Sequence, residues 1–330
     1  SDTTWQTYTL HALYHQLCQA PQAQLPKALN EFLAALKVQH PFARTWAEIM
    51  DSAGQDCDAP ELSSWSTRLS DGLEAYDEND YEPAIEVFTD LLNYSRLEPA
   101  WKSVAFNWRG YCHYLIGQYS QALIDLTKAI KLNPDEAMYW EERGDTYRLM
   151  GRYEEALQDF NQAIVLDSED ASVFASRGMT YRMIERYKEA LHDFNQAIEL
   201  DPKYSWAIAL RGETYRSMER YEEALQDFNQ AIELDPKYSW AIASRGQTYR
   251  SIEEYDKAID DFNQAITLDP KSDWKLAARG ETYRLMDRYE EALQDLNQAI
   301  ELDPKDSFAI TKRGQTYRSI EEYDKAIDDF

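Results

Sequence analysis

The sequence predicts an all-α solenoid, an array of stacked helix–turn–helix repeats. An Arg-Gly pair recurs seven times at intervals of 34 residues, beginning at positions 109, 143, 177, 211, 245, 279 and 313. Apolar residues flank each pair at spacings of three and four, which places them on one face of a helix. A proline follows the second helical stretch in five of the six complete repeats. Two helical stretches in a fixed period indicate repeats that each bury a face against the next.

Helix A, the first helical stretch of a repeat, is centred on the Arg-Gly pair. When the glycine is numbered eighth, the repeats begin at positions 103, 137, 171, 205, 239, 273 and 307, and the last one is incomplete. Position four is apolar in every repeat, and position eleven is tyrosine in six of the seven. These two positions and the glycine share one helical face, which helix A presents to a partner helix.

Helix B follows a short turn and carries its own apolar stripe, for example Tyr221, Ala224, Phe228 and Ala231. Glycine within a helix costs about 1 kcal/mol relative to alanine, so its recurrence in helix A requires a compensating gain. We expect glycine at position eight and alanine at position twenty to let the two helices approach closely and bury the aromatic residues beside them. Proline at position thirty-two then ends helix B, because it lacks an N–H group and its ring blocks the preceding turn.

This pattern resembles the tetratricopeptide repeat family, which has Gly, Tyr, Ala, an aromatic residue, Ala and Pro at these positions of a 34-residue repeat. The resemblance implies a right-handed superhelix whose concave wall is lined by helices A. It predicts seven repeats in residues 99–330, the last one truncated. Because the sequence stops within a helix B, we expect a fragment, or an array that continues beyond it.

Residues 61–98 are predicted to form a diverged repeat of the same kind. Gly72, Tyr81, Ala84 and Phe88 have the spacing of the glycine, tyrosine, alanine and aromatic positions of the later repeats. The interval from Gly72 to Gly110 is longer than one repeat, which indicates an insertion ahead of Pro99.

The seventh position, usually leucine in the family, is arginine in every repeat here, and position twenty-three is aspartate. An isolated arginine beside the core is unfavourable, so each is expected to pair with an aspartate of its own or the neighbouring repeat. The alternative is that the arginines extend over the edge of the helix into solvent.

Residues 1–60 are predicted to form a small N-terminal bundle, or a cap on the first repeat, of no recognised family. Prolines and Gly54 divide the segment into expected helices at 3–20, 26–39 and 41–53, with a candidate linker at 54–60. Their apolar stripes are Trp5, Tyr8, Leu13 and Leu17, then Leu29, Phe32, Leu33 and Leu36, then Phe42, Trp46 and Ile49. His11, His15 and Cys18 share one helical face, but no fourth ligand is near in sequence, so packing is favoured and no metal or cofactor is predicted.

Composition excludes several functions. The formal net charge of −26 repels phosphate backbones, so nucleic acid is not an expected partner. The three cysteines are too few for a disulfide framework, and no signal peptide or long apolar run is present, which predicts a soluble, cytoplasmic protein with no membrane partner. No catalytic motif is present, and the histidines do not cluster, so the chain is predicted not to be an enzyme.

The predicted binding site lies on the side of helices A that faces away from helices B, at positions two and twelve of the repeats. Aromatic and arginine side chains are the usual anchors of protein interfaces. The candidate residues are Trp206, Trp240, Trp274, Phe308, Arg148, Arg182, Arg216, Arg250, Arg284 and Arg318. The alternative is structural: the tryptophans pack between neighbouring helices A, and the arginines are satisfied by acidic residues beside them.

The predicted function is a protein-interaction scaffold that holds a partner protein or peptide segment in the concave groove. Some family members bind a C-terminal carboxylate through basic or Asn residues at positions five and nine of helix A. No repeat here has a basic residue at either position, so that mode is disfavoured. The alternative function is a regulatory or sensor arm of a larger bacterial signalling protein whose catalytic domain lies outside this sequence.

Overall fold

A computed structural model describes the backbone of residues 2–38 and 40–329 and the side chains of residues 8–37 and 40–329. Over those residues the chain forms helices and no strand, which confirms the all-α class. The helices are α1 (Asp2–Gln19), α2 (Pro21–Val38), α3 (His40–Asp56), α4 (Pro60–Asp77), α5 (Tyr81–Asn93), α6 (Pro99–Leu115), α7 (Tyr119–Leu132), α8 (Ala137–Leu149), α9 (Tyr153–Leu166), α10 (Ala171–Met183), α11 (Tyr187–Leu200), α12 (Ser205–Ser217), α13 (Tyr221–Leu234), α14 (Ser239–Ser251), α15 (Tyr255–Leu268), α16 (Asp273–Leu285), α17 (Tyr289–Leu302), α18 (Ser307–Ser319) and α19 (Tyr323–Asp328).

The chain divides into two compact units, residues 1–169 (unit 1) and residues 170–330 (unit 2). In unit 2 the helices A are α10, α12, α14, α16 and α18, and each of the first four packs most extensively against the helix B that follows it. Successive helices A also contact one another, whereas successive helices B in the described part of unit 2 make no comparable contact. Helices A therefore line the more crowded, inner side of this unit.

The repeating glycine allows the close approach of helix A and helix B, as predicted. A Cβ atom built on Gly212 would lie 3.1 Å from Asp227 Cβ and 3.3 Å from both the Ala224 carbonyl oxygen and Phe228 Cε1. Ala224 and Phe228 are fully buried at this crossing. The small residues at positions eight and twenty thus place a large aromatic side chain in the core, and its burial offsets the low helix propensity of glycine.

The arginine at position seven and the aspartate at position twenty-three form a two-point ion pair in every repeat, which confirms that prediction. Arg211 donates from Nε and Nη2 to the two carboxylate oxygens of Asp227, at 2.8 and 2.7 Å. Its third nitrogen, Nη1, donates to Asn195 Oδ1 of the preceding repeat at 2.8 Å. One guanidinium group therefore connects its own two helices and the previous helix B. Equivalent ion pairs join Arg109–Asp125, Arg143–Asp159, Arg177–Asp193, Arg245–Asp261, Arg279–Asp295 and Arg313–Asp329.

The turn between helix A and helix B requires a left-handed residue at position fifteen. Gly117 and Gly151 occupy it with φ of 75° and 71°, whereas Glu219 adopts φ of 60° at the same place. The following Arg220 N–H donates to the Tyr215 carbonyl at 2.9 Å, which closes the end of helix A. Glu185, Glu253, Asp287 and Glu321 share this conformation.

Replacing Glu219 with glycine is expected to stabilise the chain. The left-handed conformation costs a side-chain-bearing residue roughly 1–2 kcal/mol, and glycine removes this cost. Glycine also has greater conformational entropy in the unfolded state, which cancels part of the stabilisation. We expect a net stabilisation of about 0.5–1 kcal/mol, measured as a rise in melting temperature. Gly151→Ala is the reciprocal control, because no atom lies within 4 Å of its Cβ position and only backbone strain changes. Gly151→Ala should lower the melting temperature, and shifts of the same sign for the two variants would contradict this account.

The N-terminal helices differ from the prediction in their boundaries. Pro26 lies inside α2 rather than at its start, and Gly54 lies inside α3. The proline removes only one hydrogen bond near the first turn of α2, and burial of Leu25, Leu29 and Leu33 along the same helix maintains it.

The predicted linker at residues 54–60 is wrong. Helix α3 continues to residue 56 and α4 begins at residue 60, so only a three-residue turn separates them. A Cβ on Gly54 would lie 2.9 Å from the Ser63 backbone nitrogen, which shows that α3 and α4 cross closely there.

The predicted apolar stripes of the N-terminal segment are largely buried, with one exception. Tyr8 is 73% exposed, because it lies on the outer side of α1, and its predicted burial is wrong. Trp5 lies outside the residues whose side chains are described. Leu13, Leu17, Leu29, Phe32, Leu33, Leu36, Phe42 and Trp46 are buried, and Ile49 is partly buried.

The N-terminal helices of unit 1 share one hydrophobic core with α4, α5 and α6. Asn30 on α2 accepts a hydrogen bond from the Glu98 backbone N–H at 3.1 Å, at the start of α6. Between α4 and α5, Asn79 adopts φ of 63° seven residues after Gly72, the same offset as Gly117 from Gly110. This turn supports the diverged repeat at residues 61–98, which stays a prediction.

Candidate functional site

The A face of unit 2 consists of the residues at positions two, nine and twelve of its helices A. The tryptophans at position two are half-buried. Trp206 and Trp240 pack against the cluster around Phe194, and Trp274 packs against the cluster around Phe262. The rings therefore contribute to the fold while leaving part of their surface accessible. Phe308 is more open, at 42% exposure, with Lys312 Nζ 5.3 Å from its ring centroid.

Three of the arginines at position twelve are paired with an acidic residue at position nine of the same helix. Arg216 donates to Glu213 at 2.9 and 2.6 Å. The same pairing joins Arg284 to Glu281 at 2.7 and 3.0 Å. Arg148, which lies on α8 in unit 1, donates to Asp145 at 3.0 and 2.8 Å. A separation of three residues places the two side chains on one helical face.

The other three arginines lie in repeats whose position nine is not acidic but Met179, Gln247 or Gln315. Within the described residues, none of these arginines has a carboxylate partner. Arg182 Nε is buried and lacks a hydrogen-bond partner among those residues. Arg250 donates from Nη1 to the Ala278 carbonyl at 3.2 Å. Arg318 is exposed.

The environment of Arg250 is unfavourable for its positive charge. Burial lowers the pKa of Arg250, and the neighbouring Arg216 guanidinium lowers it further, while Glu281 acts in the opposite direction. Arginine nevertheless stays protonated at physiological pH. The A face thus holds a partly desolvated cation whose hydrogen-bond acceptor is a neutral carbonyl.

His11 and His15, two of the possible metal ligands on α1, contact each other. Their imidazole rings lie edge to face, with centroids 4.5 Å apart. Throughout the described residues, no group of three His, Cys, Asp or Glu side chains is arranged to hold a metal ion.

Comparison with models of known protein families identifies the family of these repeats. The tetratricopeptide repeat model matches residues 103–136, 171–204, 205–238, 239–272 and 276–306, just over half of the chain. Two related models, described as TPR repeat and tetratricopeptide repeat, match residues 144–184 and 126–158. The chain belongs to the tetratricopeptide repeat family. Members of this family are in general non-catalytic scaffolds.

Solved structures share the fold of this chain. A chain of the APC/C hetero-tetramer Cut9–Hcn1 matches 82% of this protein with a TM-score of 0.65 and 17% identity, and 52% of its own length is covered. This tetratricopeptide repeat chain therefore spans about half the length of that protein. A tetratricopeptide repeat protein from Parabacteroides merdae matches 77% of the chain, over 98% of its own, with a TM-score of 0.64 and 20% identity. Likenesses at these identities show the fold alone.

Two searches gave negative results. The search of curated proteins found no match. In the described part of the chain, no helix combines the length and the apolar content needed to cross a membrane.

The arginines at position twelve are one group in the sequence, but their contacts divide them into two groups. The signal was present in the sequence, since the residue at position nine decides the pairing three residues later. A buried carboxyl group at Glu142, at position six of its repeat, was missed altogether. It lies beside Tyr111 and Tyr114 of the preceding repeat. All six later repeats have arginine at the position of Tyr114, and three of them have an acid at the position of Tyr111.

Proposed function

We propose that this tetratricopeptide repeat chain is an interaction scaffold that binds a protein or peptide segment along the A face of unit 2. The observation that carries the proposal is a pair of arginines, Arg182 and Arg250, that have no carboxylate partner among the described residues and lie on the same face as partly accessible tryptophans. A buried cation without a counter-ion is costly, and a ligand carboxylate would relieve that cost through charge-assisted hydrogen bonds. The tryptophans offer apolar surface to neighbouring side chains of the same ligand.

The charge of the whole protein restricts the kind of ligand. A net charge of −26 repels long acidic segments at a distance. The favoured ligand is therefore a mostly apolar segment with isolated carboxylates that match the spacing of Arg182 and Arg250, two repeats apart. This differs from capture of a C-terminal carboxylate, because the contacts come from position twelve rather than positions five and nine.

Substituting either unpaired arginine is expected to weaken binding of such a segment. Peptides are first selected from a random display library on the full chain, and the tightest one is titrated against Arg182→Gln and Arg250→Gln. Each variant should raise Kd by about tenfold or more, since hydrogen bonds to charged groups contribute roughly 1.5–3 kcal/mol. The selected peptides should be enriched in Asp or Glu.

Arg220→Gln is the matched control for this titration. Arg220 pairs with Glu223 at 2.9 and 2.6 Å at the exposed start of a helix B, away from the A face. It makes the same change of charge, and it should leave Kd unaltered. If all three variants bind equally well, or if no carboxylate is selected, the ligand lies elsewhere.

The regulatory-arm alternative stays a prediction. Such an arm would use the same A face, so the arginine variants would abolish regulation in the larger protein as well as binding.

A further inference from the structure

Unit 1 contains a small cavity between two successive helices A, α6 and α8. It has a volume of about 100 Å³ and is lined by Tyr111, Tyr114, Glu142 and Asp145. The two tyrosine rings are stacked, with centroids 5.8 Å apart and an interplanar angle of 12°. The cavity therefore has an aromatic wall from one repeat and a carboxylate wall from the next.

The carboxyl group of Glu142 is the unusual feature of this cavity. Although the residue as a whole is partly accessible, its Oε2 atom is buried and has no hydrogen-bond partner among the described residues. The Asn107 side chain supports the carboxyl group with a hydrogen bond, and Asn107 Oδ1 is itself buried and without a donor in the same part of the structure. Unsatisfied buried acceptors of this kind are rare and call for an explanation.

The charges around Glu142 do not neutralise it. Burial raises the pKa of Glu142 well above its usual value, and the carboxylates of Glu141 and Asp145 raise it further. The nearby cation on α8, Arg148, is engaged with Asp145. The site thus presents a hydrogen-bond acceptor and an excess of acid beside two aromatic rings.

We propose that this cavity binds the cationic end of a lysine or arginine side chain from a protein partner. A bound cation would hold the Glu142 carboxyl group in its ionised form against the effect of burial. An ammonium or guanidinium group carries only hydrogen-bond donors, which is what the unpartnered Glu142 Oε2 then requires. Tyrosine rings attract cations through their faces, and this attraction grows in a desolvated site. The inference rests on the proposed function because a protein partner supplies the side chain. It differs in that the site lies in unit 1 and the bound group of the ligand is a cation rather than a carboxylate.

A short peptide tests the cavity without any knowledge of the partner. Saturation-transfer NMR on the full chain measures binding of acetyl-Gly-Lys-Gly-amide through the lysine ε-protons. The peptide with norleucine in place of lysine has a similar length but lacks the ammonium group. We expect saturable binding of the lysine peptide, comparable binding of the arginine peptide, and none of the norleucine peptide.

Glu142→Gln should weaken lysine-peptide binding by about tenfold or more, because the charge-assisted hydrogen bond is lost. Glu154→Gln is the matched control, since Glu154 is an exposed carboxylate on α9 and its loss changes the net charge equally. The glutamine variant should melt no lower than the wild type, because it removes a buried ionisable group. Tyr114→Leu is a second variant that removes an aromatic wall and should also weaken binding.

The proposal is overturned if Glu142→Gln binds the lysine peptide as the wild type does, if norleucine binds as well as lysine, or if no lysine binding is detected. Should Glu142→Gln fail to fold, unchanged binding by Tyr114→Leu overturns it. None of these results touches Arg182 or Arg250, so the scaffold proposal is tested separately by the display-selected peptides.

Discussion

Replacing Asp227 with alanine will destabilise the repeat array by about 3 kcal/mol, the lower end of the cost of breaking a buried ion pair. Asp227 is almost completely buried, and its removal leaves Arg211 with Asn195 as its one hydrogen-bond partner among the described side chains. The estimate is at the lower end because the Arg211 side chain keeps 19% of its surface exposed and can recover some hydration. Urea denaturation measures the loss as a shift of the transition midpoint.

Replacing both partners gives the informative control. Burial raises the pKa of Asp227 in spite of the attraction of Arg211, whereas the hydrogen bond to Asp227 raises the pKa of Arg211. The cost of desolvation is therefore left on the carboxylate and not on the guanidinium group. Apolar replacement of both groups is then expected to cost less than loss of one, as in other buried pairs. Arg211→Met combined with Asp227→Leu should therefore recover most of the stability lost in Asp227→Ala. A double variant as unstable as the single one would show that the connection to Asn195 matters more than the paired charges.

Stability in such an array is a sum of repeat and interface contributions. A single transition midpoint can therefore conceal partial unfolding. Hydrogen exchange measured on Asp227→Ala distinguishes partial from complete unfolding. As urea is added, the amides of α13 should lose protection at a lower concentration than those of α17, two repeats away. Uniform loss of protection across unit 2 would instead indicate that the array unfolds as one cooperative body.

The sequence predicts the repeat architecture well because its signals are local and repeated. The spacing of Gly212 from Ala224 determines where the two helices cross. Arg211 and Asp227 both lie next to the core, where an unpaired charge is unfavourable, so an ion pair between them is expected. Each inference depends on a short stretch of chain, and seven copies average out the exceptions. The same reasoning failed at Pro26, because burial of the α2 leucines outweighs one missing hydrogen bond.

The candidate sites were less predictable because they depend on contacts between repeats. Glu142 has an ordinary sequence context, and among the described residues its Oε2 is buried and unpaired beside the tyrosines of the preceding helix A. Likewise, the sequence is equally consistent with tryptophans of unit 2 that pack in the core and with tryptophans that contact a ligand. In the structure they pack against the core and are partly accessible. An alanine substitution there would test stability and binding together, which is why the unpaired arginines give the cleaner experiment.

Gly212→Leu is expected to destabilise the chain by roughly 1–3 kcal/mol, the usual cost of overpacking a core. Leucine is the better helix former, so local propensity alone predicts stabilisation by nearly 1 kcal/mol. The two explanations therefore differ in sign. At Gly212 the first side-chain atom would already approach the Ala224 carbonyl oxygen to 3.3 Å, and the remaining three carbons of leucine have no space between the helices.

Gly212→Ala separates size from propensity within the same site. Its single methyl group meets Asp227 Cβ at 3.1 Å, a contact that a shift of a few tenths of an ångström can relieve. Alanine should therefore be close to neutral, since the gain in helix propensity offsets a small strain, whereas leucine must separate the helices and disturb Phe228. The melting temperature of Gly212→Ala should then be close to that of the wild type, and that of Gly212→Leu should be well below both. An unchanged melting temperature for Gly212→Leu would mean that helix A and helix B are not held at the distance on which the whole array depends.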